Sequence, residues 1–389
     1  MKKKRTAGPL MITQLFLPTK GGTAVSFDDD FRRIGGKEVH IVTEAVPGDA
    51  EFDRDHPNTI HRLSLKRRPW LKPESLFIYL KLLFVSLGIG LRHPINAIFA
   101  GRALPEGLVA WILGRVLRRP VLIYAHGEEL TGWGRGRKFQ AMCFALQRAD
   151  WVLSNSDNTK QTLVELIGVA PERVAVVYPT VDEQRFQPGP PVERLRRSIG
   201  WRPGQHLILS VGRLMERKGF DQVIRALPVL RERGLDCHYA IIGIGDDGPR
   251  LKELVEALGL EERVHFLGHV SYEDLPLWYN TCDLFAMPNR DVGGDTEGFG
   301  LVFLEAAAAA KPVVAGRAGG TGSAVIDGVT GLRVEGESVE AVAEGLARLL
   351  EEPEAAQRMG QAARQRVLDN FTHQRRVDEL KALAGLKEA

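Results

Sequence analysis

Leu207-Ile-Leu-Ser-Val211-Gly212-Arg213-Leu-Met-Glu-Arg217-Lys218-Gly219-Phe220 holds a strand, a tight turn and the start of a helix. A mostly apolar run ends at Gly212. A turn with three cations follows, and Gly219 leads into a helical pattern from Phe220. A strand that gives way to a helix within a few residues is the opening half of a βαβ unit. The alternation recurs on both sides. Upstream, the expected strands are Leu10–Phe16, Val39–Thr43, Ile95–Ala100, Val121–Ala125, Trp151–Ser154 and Val174–Tyr178. Downstream they are Cys237–Ile242, Val264–Leu267, Leu284–Met287 and Pro312–Ala315. Helical patterns lie between them, which predicts an α/β chain with parallel sheets in two Rossmann-like domains. In such sheets ligands sit beyond the carboxyl ends of the strands.

Composition narrows the class. The 389 residues suffice for two or three domains, and an apolar content of 44% excludes a disordered chain. Cys143, Cys237 and Cys282 form no CxxC pair and no zinc-like spacing, which points to a reducing, cytoplasmic compartment. Met1–Arg5 followed by Leu10–Leu17 imitates a signal peptide, but Thr13 and Gln14 interrupt the run and no small-residue cleavage site follows. The most apolar window, 76–91, contains Lys81 and is shorter than the ~18 residues of a spanning helix. The net charge of +3 is unevenly spread: residues 1–180 hold 26 Lys and Arg against 17 Asp and Glu, the remainder 26 against 32. The first half is therefore expected to face something anionic.

Four loops carry the chemistry. After the first strand, Gly21-Gly22 precedes a helix starting near Ala24, so backbone N–H groups can approach a phosphate. A plain tight turn reads equally well there. Val121–Ala125 runs into His126-Gly-Glu-Glu129, which projects a histidine beyond a strand end; a lone histidine is otherwise often structural. Arg213, Arg217 and Lys218, bracketed by Gly212 and Gly219, offer cations at a helix N-terminus, where a diphosphate could sit. The most specific stretch is Glu297-Gly298-Phe299-Gly300-Leu301-Val302-Phe-Leu-Glu305. Its helix starts near Phe299 or Gly300 and leaves amides at Gly300–Val302 open to an oxygen ligand, with Glu305 about five residues along. Gly243-Ile-Gly245-Asp-Asp-Gly248 matches a dinucleotide fingerprint, but Asp246 and Asp247 would repel a pyrophosphate and the next strand lacks a ribose-binding acid.

Gly21-Gly22, His126 to Glu129, Gly212-Arg213 with Lys218-Gly219, and Glu297-x7-Glu305 together resemble glycosyltransferase family 4, and within it phosphatidylinositol mannosyltransferases and related mannosyltransferases. The resemblance implies a GT-B fold: an N-terminal acceptor-binding domain over 1–185, a linker over 186–203, a nucleotide-sugar-binding domain over 204–365, and a C-terminal helix over 366–389 packing back on the first domain. The two sheets would face each other across a cleft. It also implies a retaining transfer of a hexose, mannose from GDP-mannose, with no cofactor and no metal. By resemblance, Gly21 and Gly22 approach the donor phosphate, and Gly22 the acceptor as well. His126 contacts the transferred sugar, Glu129 lies beside the acceptor, and Arg213 and Lys218 bind the leaving diphosphate. Glu297 and the backbone of Gly298–Val302 would hold the sugar, Glu305 the ribose, and Gly268, His269 and Val270 the base. Pro179-Thr-Val-Asp182 departs from the Asn-Gly-Val-Asp found in many members. Expected partners are the nucleotide-sugar, a lipid-linked or glycan acceptor bound also by Lys66, Arg67 and Arg68, and an anionic membrane surface met by the same three residues, with no nucleic acid. A UDP-sugar-dependent relative with a soluble acceptor, an NAD-dependent dehydrogenase and an inactive carbohydrate-binding relative stay open as alternatives.

Overall fold

Apolar runs become strands here because each is covered on both faces. A computed structural model describes residues 6–19, 21–65, 75–127, 130 and 134–386. It divides into two units, Met1–Pro179 with His373–Ala389, and Thr180–Thr372. The first unit holds β1 (Gly8–Ile12), β2 (His40–Glu44), β3 (Thr59–Leu63), β4 (Ile95–Ala100), β5 (Val121–Ala125), β6 (Trp151–Ser154) and β7 (Val174–Val176). Their order is β3-β2-β1-β4-β5-β6-β7, parallel throughout. Successive side chains enter opposite layers: Leu10 and Ile12 join one core cluster and Met11 the other. Burial on both faces is what makes these strands read as unbroken apolar runs.

The helix Gly22–Ile34 follows β1 and buries Ala24, Phe27, Phe31 and Ile34 at helical spacing. Asp30 faces inward from the same helix. Arg376, on the helix His373–Leu383, meets it at 2.8 Å and also donates to the carbonyls of Val177 and Tyr178. The last helix is thus fastened to the first unit by a guanidinium whose loss would strand a buried carboxylate, at a cost of about 3–5 kcal/mol.

The second unit repeats the plan with β8 (His206–Val211), β9 (Cys237–Ile242), β10 (Val264–Gly268), β11 (Leu284–Met287), β12 (Val313–Gly316) and β13 (Leu332–Val334). The order is β10-β9-β8-β11-β12-β13, again parallel. In both sheets the order reverses beside the first strand, between β1 and β4 and between β8 and β11. Such reversals leave a crevice beyond the strand ends, where the adjoining loops part.

Residues 186–203, whose composition suggests a linker, lie inside the second unit. Phe186 is fully buried against Tyr272 and Tyr279. Arg196, in the helix Glu193–Ser198, bonds to the Thr281 carbonyl and to Asp283. Among the described residues no helix is long and apolar enough to cross a membrane.

Each sheet carries a histidine pair at matching places. His40 Nδ1 lies 3.0 Å from His61 Nε2, and His238 Nδ1 lies 2.9 Å from His265 Nε2, both pairs stacked. Burial, with His93 and His61 nearby, pushes His40 down to about 4. Burial, with His238 and Arg263 nearby, takes His265 down to about 4. Because the folded values lie below the ordinary 6.5, the unfolded chain takes up protons first. Stability from these pairs is therefore complete above about pH 6.5 and is lost as the pH falls toward 4. Melting temperature should drop over that range, and His265→Gln should flatten the drop relative to the parent. An unchanged slope would contradict it.

Candidate functional site

In the second unit the crevice between β8 and β11 brings together two loops that are far apart in sequence. From β8 comes Gly212, then exposed Arg213, then the turn Glu216–Lys218 and the helix Phe220–Glu232. Gly219 sits at φ +74, and a Cβ there would lie 2.2 Å from the Pro288 carbonyl oxygen, so only glycine lets this turn close on the loop after β11. The Arg290 amide donates to the Arg217 carbonyl at 2.8 Å. Its buried guanidinium pairs with Asp221 through two nitrogens, each 3.1 Å from a carboxylate oxygen. Arg290 and Asp221 therefore lock the cation-bearing turn in place.

The clamp aligns three charges. Lys218 Nζ lies 2.9 Å and Arg217 Nη1 3.0 Å from the same oxygen of Glu297, and Arg217 Nε lies 3.2 Å from Asp295. Lys218 folds back over Gly212, where a Cβ would stand 3.4 Å from the ammonium. Burial raises the Glu297 pKa, but Lys218 and Arg217 outweigh it, so the carboxyl is held below its ordinary value and stays ionised. Arg213 points a further guanidinium outward and forms no ion pair among the described residues.

Glu297 leads through Gly298, Phe299 and Gly300 to the helix Leu301–Ala308. Gly300 adopts φ +89, which starts the helix sharply and leaves the Leu301 and Val302 amides without an acceptor inside it. The Glu297 carbonyl receives the Gly320 amide at 2.8 Å, which fixes the approach. Glu305 accepts a 2.6 Å hydrogen bond from Tyr279. Burial pushes its pKa up to about 7, so it is divided between acid and carboxylate at neutral pH. Beside the end of β10, His269 and Val270 line a hollow of about 380 Å³ with Arg194, Asp274 and Trp278, and the Gly268 carbonyl accepts the Gly243 amide.

The fingerprint-like loop has a structural explanation. A Cβ at Gly243 would lie 1.9 Å from the Gly212 carbonyl oxygen and one at Gly245 2.3 Å from that of Leu214. These glycines are the floor on which the cationic loop rests, and Asp247 is taken by Arg250 at 2.6 Å.

In the first unit the crevice between β1 and β4 collects the N-terminal candidates. Gly21 (φ +140) caps the helix that Gly22 begins, and no atom approaches within 4 Å of where its side chain would stand. The amides of that first turn are thus accessible to an incoming oxygen. His126 Nε2 donates to the Gly101 carbonyl at 2.9 Å, which sets its tautomer and holds the ring near Phe27 and Tyr124. Buried Glu106 receives the Gln14 amide at 2.9 Å and steadies the chain just after β1. Glu129, Lys66, Arg67 and Arg68 lie outside the described residues.

Of the residues singled out by sequence, the structure joins Lys218 to Glu297 directly and keeps Glu305 and the Gly300–Val302 amides on the following helix. It adds Arg217 as a full member of the charge cluster, with Asp295, Tyr279 and the Arg290–Asp221 clamp. Arg217 was visible as a neighbouring cation, whereas nothing in the sequence marks Tyr279 or Arg290 as partners. Among the described residues no group of three or more His, Cys, Asp or Glu side chains could hold a metal ion.

Comparison with known proteins accords with this geometry. Residues 191–366 match the family model for glycosyl transferases group 1, and residues 32–185 that for glycosyltransferase family 4. A GDP-mannose-dependent alpha-(1-6)-phosphatidylinositol monomannoside mannosyltransferase of Mycolicibacterium smegmatis is 34% identical, over 98% of this chain and 99% of the relative. The Mycobacterium tuberculosis protein of the same name is 31% identical over 96% of each. Anabaena HepE, solved in complex with UDP, shares the fold with a TM-score of 0.81 at 21% identity, over 97% of this chain and 99% of that one. With relatives this similar along its whole length, the chain belongs to the family 4 glycosyltransferases of GT-B fold.

Proposed function

We propose that the protein transfers mannose, with retention, from GDP-mannose to a phosphatidylinositol mannoside or a similar lipid-linked acceptor. The observation that carries this reading is the cluster of Arg217, Lys218 and Glu297 at the β8–β11 crevice. Donor and acceptor are suggested by the full-length relatives, which are named for GDP-mannose and phosphatidylinositol monomannoside.

The chemistry follows from charge. Breaking the anomeric bond leaves negative charge on the diphosphate and positive charge on the sugar. Cations fixed in advance beside the leaving group stabilise that state without reorganising. Lys218 and Arg217 are held there by Glu297, and Arg213 stands free to close on a phosphate through two nitrogens. Glu297, ionised, offers its oxygens to sugar hydroxyls once phosphate draws the cations toward itself. The Leu301 and Val302 amides meet further donor oxygens, and Glu305 takes the ribose. By the same reading, His126 contacts the transferred sugar and the helix that starts at Gly22 the acceptor. With both glutamates occupied by hydroxyls, the departing phosphate is the base that accepts the acceptor proton on the same face. A glycosidase would instead place two carboxylates about the bond.

Contact with an anionic membrane face, on the cytoplasmic side, accompanies this reading. The helix Leu76–Arg92 leaves Phe84 and Leu91 65% and 72% exposed, next in sequence to the Lys66-Arg67-Arg68 stretch. The protein should co-sediment with phosphatidylinositol-containing vesicles, and Phe84→Ser with Leu91→Ser should weaken this; unchanged sedimentation removes the membrane contact.

GDP should raise the melting temperature more than UDP or ADP, since a ligand at 100 times its Kd adds about 2.7 kcal/mol. Lys218→Ala should lower kcat/KM by roughly 10- to 150-fold, the worth of a charged hydrogen bond of about 1.5–3 kcal/mol. UDP as the stabilising ligand would shift the reading to a UDP-sugar enzyme, and protection by NAD alone would overturn it. Since Glu305 titrates at about 7 and binds two hydroxyls only as carboxylate, donor affinity should rise from pH 6 to 8. Glu305→Gln should abolish that rise, and a persisting rise would remove Glu305 from the ribose.

A further inference from the structure

At the amino ends of β5 and β6, opposite the loops that carry His126, the first unit contains a pocket of about 620 Å³. Its lining includes Arg115, Arg118, Arg119 and Arg148, with Trp111 and Asp150. Asp150 already receives the Val121 amide at 2.8 Å, and Arg148 lies over the Phe144 ring. Arg115, Arg118 and Arg119 have no hydrogen bond or ion pair from their side chains among the described residues.

The simplest account of these arginines is that they serve helix ends. The helices Leu108–Leu117 and Arg137–Arg148 both terminate here, and cations are favoured at helix C-termini. That account is too small. Each end supplies about half a negative charge, so two ends and one carboxylate leave roughly two positive charges unbalanced out of four guanidinium groups. Arg118 also adopts φ +54, an unfavourable conformation for a side-chain-bearing residue, so that the chain presents Arg118 and Arg119 in succession at the rim. Guanidinium groups gathered with this surplus of positive charge form a receptor for an anion bearing two or more charges.

We propose that this pocket is a second, non-catalytic site for a multiply charged phosphate group, a phosphomonoester or a chain of phosphates. It lies outside the donor loops and does not depend on which nucleotide the enzyme uses. The helix Leu76–Arg92 packs on this corner, where a Cβ at Gly90 would stand 2.4 Å from Leu117, and Val116 is 59% exposed nearby. The phosphate could thus belong to a free metabolite or to a lipid headgroup whose chains rest on that apolar rim.

Titration calorimetry with inorganic tripolyphosphate separates this site from the donor loop when done on Lys218→Ala protein. One equivalent should bind, and adding Arg118→Gly with Arg119→Gln should weaken it at least ten-fold. Glycine suits the φ of position 118 and both side chains are exposed, so the fold should survive, as circular dichroism will verify. In a parallel arm, co-sedimentation with phosphatidylcholine vesicles containing phosphatidic acid should depend on the same arginines if the source is a headgroup. Tripolyphosphate binding without that dependence assigns a soluble anion. The proposal is overturned if Lys218→Ala alone abolishes tripolyphosphate binding, or if the arginine substitutions leave it unchanged; the donor reading stands in either case.

Discussion

Two cations share one carboxylate oxygen where the second sheet reverses its strand order, and the rest of the site is arranged around that contact. Lys218 and Arg217 come from the turn after β8, Glu297 from the loop after β11. Neither loop alone would hold its charges in register. The Arg290–Asp221 pair and the Gly219 approach to Pro288 fasten the two loops, while Gly243 and Gly245 support the cationic loop from below. A cation cluster without Glu297 would be self-repelling, and Glu297 without the cations would be a costly buried carboxylate. The ion pairs satisfy one another in the structure, and on the proposed reading the cations turn to phosphate and the carboxylate to sugar hydroxyls.

Much of the architecture was legible because parallel strands buried on both faces leave a plain mark. β4, β5, β6, β9 and β11 have the bounds that the apolar runs suggest. Of the four edge strands, β7 and β10 fall on expected apolar runs, whereas β3 and β13 do not. β3 reads Thr-Ile-His-Arg-Leu and is only half-buried along its length, and β13 has three residues, one of them Arg333. With water on one flank an edge strand can carry polar residues, and at β3 and β13 these leave too short an apolar run to read. The Pro- and Gly-rich stretch near 186–203 misled in the opposite sense. Its anchors, Phe186 and Arg196, are single residues whose partners lie some 85 or more positions away.

The same distinction applies to the site. Glu297 and Glu305 stand out through their spacing on a glycine-led helix, and Lys218 through its place between glycines at a strand end. Tyr279, Arg290 and Asp221 act through tertiary contacts that no local pattern encodes. Tyr279 matters most here: burial raises Glu305 to about 7, and the hydrogen bond that Tyr279 donates favours the carboxylate and works against that rise. At Gly243 and Gly245 the first two glycines of a phosphate-loop pattern are required by close packing of one loop on another.

The central claim is that Lys218 and Arg217 recognise the terminal phosphate of the donor's diphosphate, and comparing GDP with GMP isolates it. Calorimetry on the parent, Lys218→Ala and Arg217→Ala proteins gives the coupling between each cation and that one phosphate. The account predicts that the parent binds GDP at least ten-fold more tightly than GMP and that either substitution removes most of the difference. An undiminished preference for GDP in both variants would contradict it.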